Sequence, residues 1–314
     1  MKKPLIILTG PTAVGKTKLS IALAKAVNGE IISADSMQVY RYMDIGTAKI
    51  KQEEMDGVPH YLVNELDPDE EFHVVEFQKR AKVAMETIYS KGKIPIIVGG
   101  TGFYIQAIVN DIDFSEADED TAYRLQLHEL AEENGNQYLH QMLEQVDPES
   151  AKSIHYNNVK KVIRALEFYH HTGLPISKHN LEQSQKESPY NFAYFVLNQS
   201  RELLYKRIEE RIDIMIRDGL IDEVSKLKNM GYTKELVSMQ GLGYKEILYY
   251  LNNEISLQEA LYRLKRDTRH FAKRQITWFK REKEVIWLNR EEFSSEYDIL
   301  IYIKKILKEK QIYL

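Results

Sequence analysis

The sequence predicts an α/β fold, a parallel sheet flanked by helices and interrupted by a helical insertion. Three observations carry that expectation. Short apolar runs stand at Leu5–Leu8, Glu30–Ser33, Ile94–Val98, Phe192–Leu197 and Val285–Leu288. Several are rich in Ile or Val, as strands covered on both faces are. The first four alternate with helical stretches, and that alternation calls for right-handed crossovers between parallel strands. Between 113 and 191 the strand signals lapse and helical periodicity takes over. The expected organisation is a core of 1–112 and 192–314 that includes the C-terminal helices, with 113–191 inserted into it.

Each element has its own warrant. After Leu5–Leu8, the stretch Lys18–Val27 sets Leu19, Ala22, Leu23, Ala26 and Val27 on one stripe, and Asn28-Gly29 stops it. Glu30–Ser33 follows, and Tyr61–Val63 is a weaker sixth strand signal. Phe77–Tyr89 is again amphipathic and Gly92 closes it before Ile94–Val98. Near residue 111 the pattern breaks in an acidic stretch of Asp111, Asp113, Glu116, Asp118, Glu119 and Asp120. Helical segments at Ala122–Asn134, Gln137–Glu144 and Asn158–His171 come next, punctuated by Gly135-Asn136 and the Gly173–Pro175 turn. Beyond Phe192–Leu197 the chain turns helical. Arg201–Asp218 lines up Leu203, Leu204, Ile208, Ile212 and Met215, Gly219 interrupts it, and Gly231 ends the next helix.

Composition narrows the function classes. The chain has 314 residues with 43% hydrophobic and 29% charged residues, enough apolar material for a sizeable core. With no cysteine, disulfides, thiolate zinc sites, iron–sulfur clusters and a cysteine nucleophile are excluded. The apolar run in MKKPLIILTG is too short for a signal peptide, and no stretch approaches the roughly 20 apolar residues of a spanning helix. The expectation is a cytoplasmic protein with no membrane contact, and a monomer. Formal net charge is −4, yet Arg263–Lys283 carries nine Lys or Arg against two acids.

The most specific signal is Gly10-Pro11-Thr12-Ala13-Val14-Gly15-Lys16-Thr17. It matches G-x-x-x-x-G-K-[ST] between an expected strand and an expected helix. The glycines allow a tight loop whose amides converge on phosphate oxygens, and Lys16 adds a point charge. The helix beginning near Lys16 aims its positive end at the anion. The Thr17 hydroxyl is a hard oxygen ligand suited to Mg2+. The fold expectation sharpens accordingly to a P-loop NTPase-like sheet. The loop says that a polyphosphate binds, and does not name the reaction.

Two further segments end where ligands bind in open parallel sheets, beyond the carboxyl ends of the strands. Asp35 and Ser36 follow Glu30–Ser33 by one residue, and Thr101 follows Ile94–Val98 through Gly99-Gly100. A carboxylate and a hydroxyl beside a phosphate site can accept a proton and hold a leaving group. Asp35 can equally cap a helix or orient a magnesium water, and Thr101 can be a turn hydroxyl. Asp44–Lys49 is a polar loop with no evident purpose. The adjacent His170-His171 pair reads as solvated surface, and Trp278 and Trp287 as core. The stretch Arg263–Arg281 interleaves basic and aromatic residues in a helix-compatible pattern. It is either an ordinary solvated face or a nucleic-acid-binding face.

Together these segments resemble the tRNA dimethylallyltransferases, also called tRNA isopentenyltransferases. The matching segments are Gly10–Thr17, Asp35–Tyr40, Asp44–Lys49, Val98–Gly102, Arg164–Glu167, Gly241–Glu246 and Lys273–Phe279. They run in family order along most of the chain. The resemblance implies transfer of a dimethylallyl group from dimethylallyl diphosphate to N6 of the adenine just 3′ of the anticodon. It implies that Gly10–Thr17 hold a diphosphate leaving group with Mg2+, with Lys16 stabilising its charge. Asp35 would be the general base, with Thr101 assisting. Asp35, Ser36, Met37 and Gln38 would contact the target nucleotide and its neighbour. The insertion would clasp the anticodon stem-loop, with Arg124, Lys160, Lys161 and Arg164 on the RNA. Gly243, Tyr244, Lys245, Arg274, Gln275, Lys280 and Arg281 would line the RNA side.

This sequence departs from the family pattern at three places. Val14 stands where a small residue is usual, and its backbone N–H remains. Lys160-Lys161 replaces a common Gln-Arg, which keeps phosphate contacts and weakens the case for base contacts. Lys280 replaces a usual Arg and loses bidentate geometry. Two rival readings stay open on the residues alone. A phosphate-loop kinase for a nucleoside or small metabolite could use Arg207 and Arg211 as phosphate clamps, but leaves Arg263–Lys283 unexplained. A nucleic-acid-binding switch would bind RNA without a covalent product.

Overall fold

Strand β1 (Lys3–Thr9) buries every side chain from Leu5 to Thr9, which a strand can do only with cover on both faces. The computed structural model describes residues 2–114 and 121–313. Its chain forms two units, Met1–Val109 with Pro189–Leu314, and Asn110–Ser188.

In the first unit, β1 leads through a loop into α1 (Lys16–Ala26), then β2 (Gly29–Ala34), which is buried throughout. The weak strand signal at Tyr61–Val63 becomes the two-residue β3 (His60–Tyr61). It stops there because Leu62 turns to a φ of 61° and donates its N–H to Glu65 Oε1 at 2.7 Å. Helix α2 (Val74–Ser90) buries Phe77, Ala81, Ala84, Met85 and Ile88 along one stripe. Strand β4 (Ile94–Gly99) follows, and α3 (Gly102–Val109) leaves it after two residues. Periodicity did not announce α3, because its eight residues are apolar nearly all round.

The second unit is wholly helical among its described residues: α4 (Thr121–Asn134), α5 (Asn136–Val146), α6 (Pro148–Ser153), α7 (Val159–Thr172) and α8 (Ile176–Gln185). It has its own core, with Leu127, Leu139, Leu143, Val162, Ile163 and Leu166 at its centre. Buried Asp147 joins α6 to α8 by accepting hydrogen bonds from both the N–H and hydroxyl of Ser150 and of Ser177. Of the acidic stretch, Glu116, Asp118, Glu119 and Asp120 lie outside the described residues. His170 and His171 are exposed, as expected, and His170 stacks on Tyr123.

The first unit resumes with β5 (Tyr190–Asn198), α9 (Arg201–Arg217), α10 (Leu220–Asn229), α11 (Tyr244–Leu251), α12 (Leu257–Phe279), β6 (Val285–Asn289) and α13 (Glu296–Glu309). The six strands lie in the order β3-β2-β4-β1-β5-β6, and every adjacent pair is parallel. From β1 the chain departs over β4 toward β2; from β4 it departs over β1 toward β5. Neighbouring β1 and β4 therefore send their chains in opposite directions, and a crevice opens at such a switch point.

Candidate active site

Register brings three strand ends level. Thr9 of β1 and Ala34 of β2 both pair with Gly99 of β4, so the chain leaves as Gly10, Asp35 and Gly100 side by side. Gly10 has a φ of 145°, and a Cβ there would lie 2.2 Å from the Leu197 carbonyl oxygen. Only glycine lets the loop cross the end of β5 this closely. The loop turns again at Ala13 and Gly15, with φ of 63° and 94°, and Gly15 caps α1. The first N–H groups of α1 have no partner within the helix and face the loop side.

Lys16 donates to the carbonyls of Gly10 and Pro11, both at 2.9 Å. Burial and, next, the charge of Arg211 lower its pKa to about 7, while Asp35 pulls in the other direction. Thr17 lies exposed in the first turn of α1. A single hard hydroxyl would fit Mg2+, which takes most of its ligands from phosphate and water. No cluster of three or more His, Asp or Glu that could hold a metal exists among the described residues.

Asp35 is half-buried and its Oδ1 accepts from the backbone N–H of Met37 at 2.9 Å and of Gln38 at 3.3 Å. Oδ2 makes no hydrogen bond among the described residues. Thr101 starts α3, its carbonyl accepting from Tyr104 and Ile105, and its N–H donates to the Ala34 carbonyl at 3.2 Å. Both residues border one cavity of about 340 Å³ with Thr12 and Ala13 of the phosphate loop. Arg211 reaches the same cavity from α9, and burial lowers its pKa against the pull of Asp35. Two helices add apolar lining: Ile208, Ile212 and Met215 from α9, Leu264 and Phe271 from α12. The cavity thus combines charged and hydrocarbon side chains.

The loop of unclear purpose, Asp44–Lys49, borders this cavity through Gly46, Thr47 and Ala48. Its last residue, buried Lys49, anchors it by donating to the Tyr40 carbonyl, Asp44 Oδ1 and Asn64 Oδ1. Gln38 donates to the Thr47 carbonyl at 3.3 Å. Glu223 of α10 accepts from the N–H groups of Asp44, Ile45 and Gly46. Nothing in the sequence around Glu223 pointed to this, because it reads as one polar position of an amphipathic helix. Gly243 and Tyr244 are buried against the cavity, and Lys245 is half-buried.

On α12 the residues His270, Lys273, Arg274, Thr277 and Trp278, with Arg281 just beyond it, form a stripe lining an open groove. Their spacing is that of one helical face. Arg274 belongs to both groove and cavity. Lys273, Arg274, Lys280 and Arg281 are exposed. Trp278, expected in the core, is only half-buried and packs edge-on against Phe103. Gln275, expected on the RNA side, points the other way: it is 6% exposed. Its Oε1 accepts the Thr12 N–H at 2.8 Å and its Nε2 donates to the Gly100 carbonyl at 2.9 Å. Arg290, just past β6, was also missed by the sequence reading. It donates to the Val14 carbonyl at 3.3 Å beside the phosphate loop. Its position directly after a strand was the available signal.

In the helical unit, Lys160 and Lys161 are exposed in the first turn of α7. Arg124 is paired with buried Glu167 at 2.7 Å, and Arg164 bonds the same oxygen at 3.4 Å.

Known proteins carry the same architecture along the whole chain. The family model described as IPP transferase matches residues 38–282. The chain is 64% identical to a tRNA dimethylallyltransferase of Lachnoclostridium phytofermentans, covering 99% of both chains. This chain belongs to the IPP transferase family. It is also 51% identical to the tRNA dimethylallyltransferase of Acetivibrio thermocellus, covering 98% of this chain and 99% of that one. Among solved structures, the full-length tRNA isopentenylpyrophosphate transferase of Bacillus halodurans superposes with a TM-score of 0.74 at 43% identity, over 99% of this chain and 98% of that one. A eukaryotic dimethylallyltransferase caught acting on tRNA gives a TM-score of 0.85 at 30% identity, over 98% of this chain and 80% of that one. As a member of the family the chain is a prenyl-transferring enzyme, and the kinase reading has no support among these relatives. No helix among the described residues is long and apolar enough to cross a membrane.

Proposed function

We propose that this enzyme moves a dimethylallyl group from dimethylallyl diphosphate to N6 of the adenine immediately 3′ of a tRNA anticodon, releasing diphosphate. The observation that carries the reading is the mixed lining of one cavity. Asp35, Thr101, Arg211 and the loop residues Thr12 and Ala13 border it, and the apolar side chains from Ile208 to Phe271 suit a five-carbon chain.

The chemistry follows from those groups. The N6 lone pair is delocalised into the purine, so nitrogen attacks carbon only as its proton leaves. Asp35 Oδ2 takes that proton while Oδ1 stays fixed by two backbone N–H groups. The C–N bond forms, the allylic C–O bond breaks, and the electron pair goes to the diphosphate. Lys16, Arg211 and the first amides of α1 stabilise the growing negative charge. The Thr101 hydroxyl would bond the diphosphate or the reacting centre. Mg2+ held by Thr17 would neutralise further charge on the leaving group when bound. The Thr12 N–H is not one of the donors to the leaving group, since it is given to Gln275 Oε1.

An adenine in a stem-loop must leave its stack to reach such a cavity, at a cost of a few kcal/mol. Ser36, Met37, Gln38, Gly243, Tyr244 and Lys245 would receive it. Lys273, Arg274, Lys280 and Arg281 would hold the backbone, and the helical unit would clasp the stem through Arg124, Lys160, Lys161 and Arg164. The enzyme would act as a monomer in the cytoplasm. The test is nucleoside mass spectrometry of unmodified tRNA incubated with the enzyme, Mg2+ and dimethylallyl diphosphate. A five-carbon gain on adenosine only with the diphosphate is the expected result. ATP consumption without that gain would overturn it in favour of a kinase.

A further inference from the structure

We propose that Gln275 is a positioning residue that fixes the distance between the leaving-group side and the base side of the reaction. The inference rests on the assignment of the phosphate loop and Asp35 to those two sides.

Gln275 bridges the switch point of the sheet. Its carboxamide oxygen takes the Thr12 N–H of the loop after β1, and its NH2 group donates to the Gly100 carbonyl after β4. The next residue, Thr101, donates its N–H to the Ala34 carbonyl, immediately before Asp35. One side chain thus connects the phosphate loop, the Thr101 turn and the Asp35 turn in a single chain of hydrogen bonds. Gly100 is shaped to admit it: a Cβ there would lie 2.1 Å from Gln275 Nε2. Burial keeps water from substituting for either bond, because the residue is 6% exposed. A carboxamide accepts at one end and donates at the other without carrying charge next to a diphosphate, and it does so at any pH. Gln275 touches neither substrate in this role. It acts through Thr12 and Thr101.

The test uses Gln275→Leu, Gln275→Glu and Gly100→Ala in the full chain. The readouts are kcat, KM for each substrate, affinity for inorganic diphosphate, affinity for tRNA, and thermal unfolding. In Gln275→Leu, kcat should fall about 10- to 100-fold, the cost of misplacing groups by a fraction of an ångström to an ångström, with tRNA affinity unchanged. Gly100→Ala should reproduce that loss, and the double variant should lose little more, because both changes break one bridge. Gln275→Glu gives the signature a merely structural role would not. A carboxylate accepts from Thr12 but cannot donate to Gly100, whereas the protonated acid does both. Its kcat relative to the parent enzyme should therefore rise as pH falls from 8 toward 5.5. Folded variants with parental kcat, or a flat relative pH profile for Gln275→Glu, would overturn the inference. So would loss of tRNA affinity alone, which would make Gln275 an RNA contact. Failure of the parent enzyme to modify tRNA would instead strike the assigned reaction, so the two failures are distinguishable.

Discussion

The Tyr244 hydroxyl donates to Glu223 Oε1 at 2.7 Å, and the same carboxylate accepts the N–H groups of Asp44, Ile45 and Gly46 at 2.8–3.1 Å. A residue of α11 and a residue of α10 thereby hold the Asp44–Lys49 loop together. The ring also explains Gly46, where a Cβ would lie 2.6 Å from Tyr244 ring atoms. The loop wall of the cavity is a product of tertiary packing, with no contribution from a regular element of its own.

Removing that carboxylate leaves three backbone donors to find water. Glu223→Ala should destabilise the protein by about 2–3 kcal/mol, in keeping with loss of a charged acceptor. Tyr244→Phe removes one neutral donor and should cost about 1 kcal/mol. Urea unfolding measures both. Because Gly46, Thr47 and Ala48 border the cavity, Glu223→Ala should also raise the KM for tRNA more than that for the diphosphate substrate. Equal effects on the two KM values would place the loop away from the nucleotide.

Asp35 holds a turn, and its proposed role as general base is separable from that duty by two substitutions. Asp35→Asn keeps an oxygen to accept from Met37 and Gln38, but it is a far weaker base. It should lower kcat about 10²- to 10⁴-fold while tRNA affinity stays nearly constant. Asp35→Ala removes the turn bonds as well and should weaken tRNA binding in addition. Single-turnover rates and filter-binding affinities distinguish the two. If Asn and Ala variants are alike in both measurements, the carboxylate is a turn former only.

Lys16 makes stability depend on pH. Its pKa in the folded chain is lowered to about 7 from 10.5, chiefly by burial and secondly by Arg211. Between those values the unfolded chain holds the proton that the folded chain has given up. Stability from this group therefore rises as pH increases from about 7 to about 10.5, and is flat below that window. The stability of the parent protein relative to Lys16→Met should climb across it. Saturating inorganic diphosphate should flatten the climb, because an anion restores the charged form. Parallel profiles for parent and variant would refute the lowered pKa of Lys16.

The parts legible in the sequence are the parts written locally. The phosphate loop, the strand ends carrying Asp35 and Thr101, and five of the six strands sit inside short windows whose spacing states their geometry. Glu223 and Gln275 were illegible in role because each acts across the fold: Gln275 bonds Thr12 from 263 positions away, and Glu223 bonds Asp44 from 179 away. The family resemblance put Gln275 on the RNA side together with its basic neighbours. It stands instead on the inner stripe with Ala272 and Phe279. Helix α3 was lost for the opposite reason: apolar residues surround it, so no face stands out.

Charge counting alone treats the basic segment of α12 as one patch, and the ion pairs divide it. Arg263 is paired with Glu259, Lys265 with Asp213, Arg266 with Asp267 and Arg269 with Glu209. Lys273, Arg274, Lys280 and Arg281 form no ion pair among the described residues, and three of them line or flank the open groove with Trp278. Cations already neutralised release few counterions on meeting a phosphate backbone, whereas unpaired ones release about one each. Affinity for tRNA should therefore fall linearly in a plot of log affinity against log salt. Alanine at Lys273, Arg274 or Arg281 should each reduce the slope by about 0.7–0.9. Lys265→Ala, which breaks an internal pair, should leave the slope unchanged. A slope equally sensitive to Lys265 and Arg274 would mean that the RNA contacts the whole length of the helix, and that its internal ion pairs open on binding.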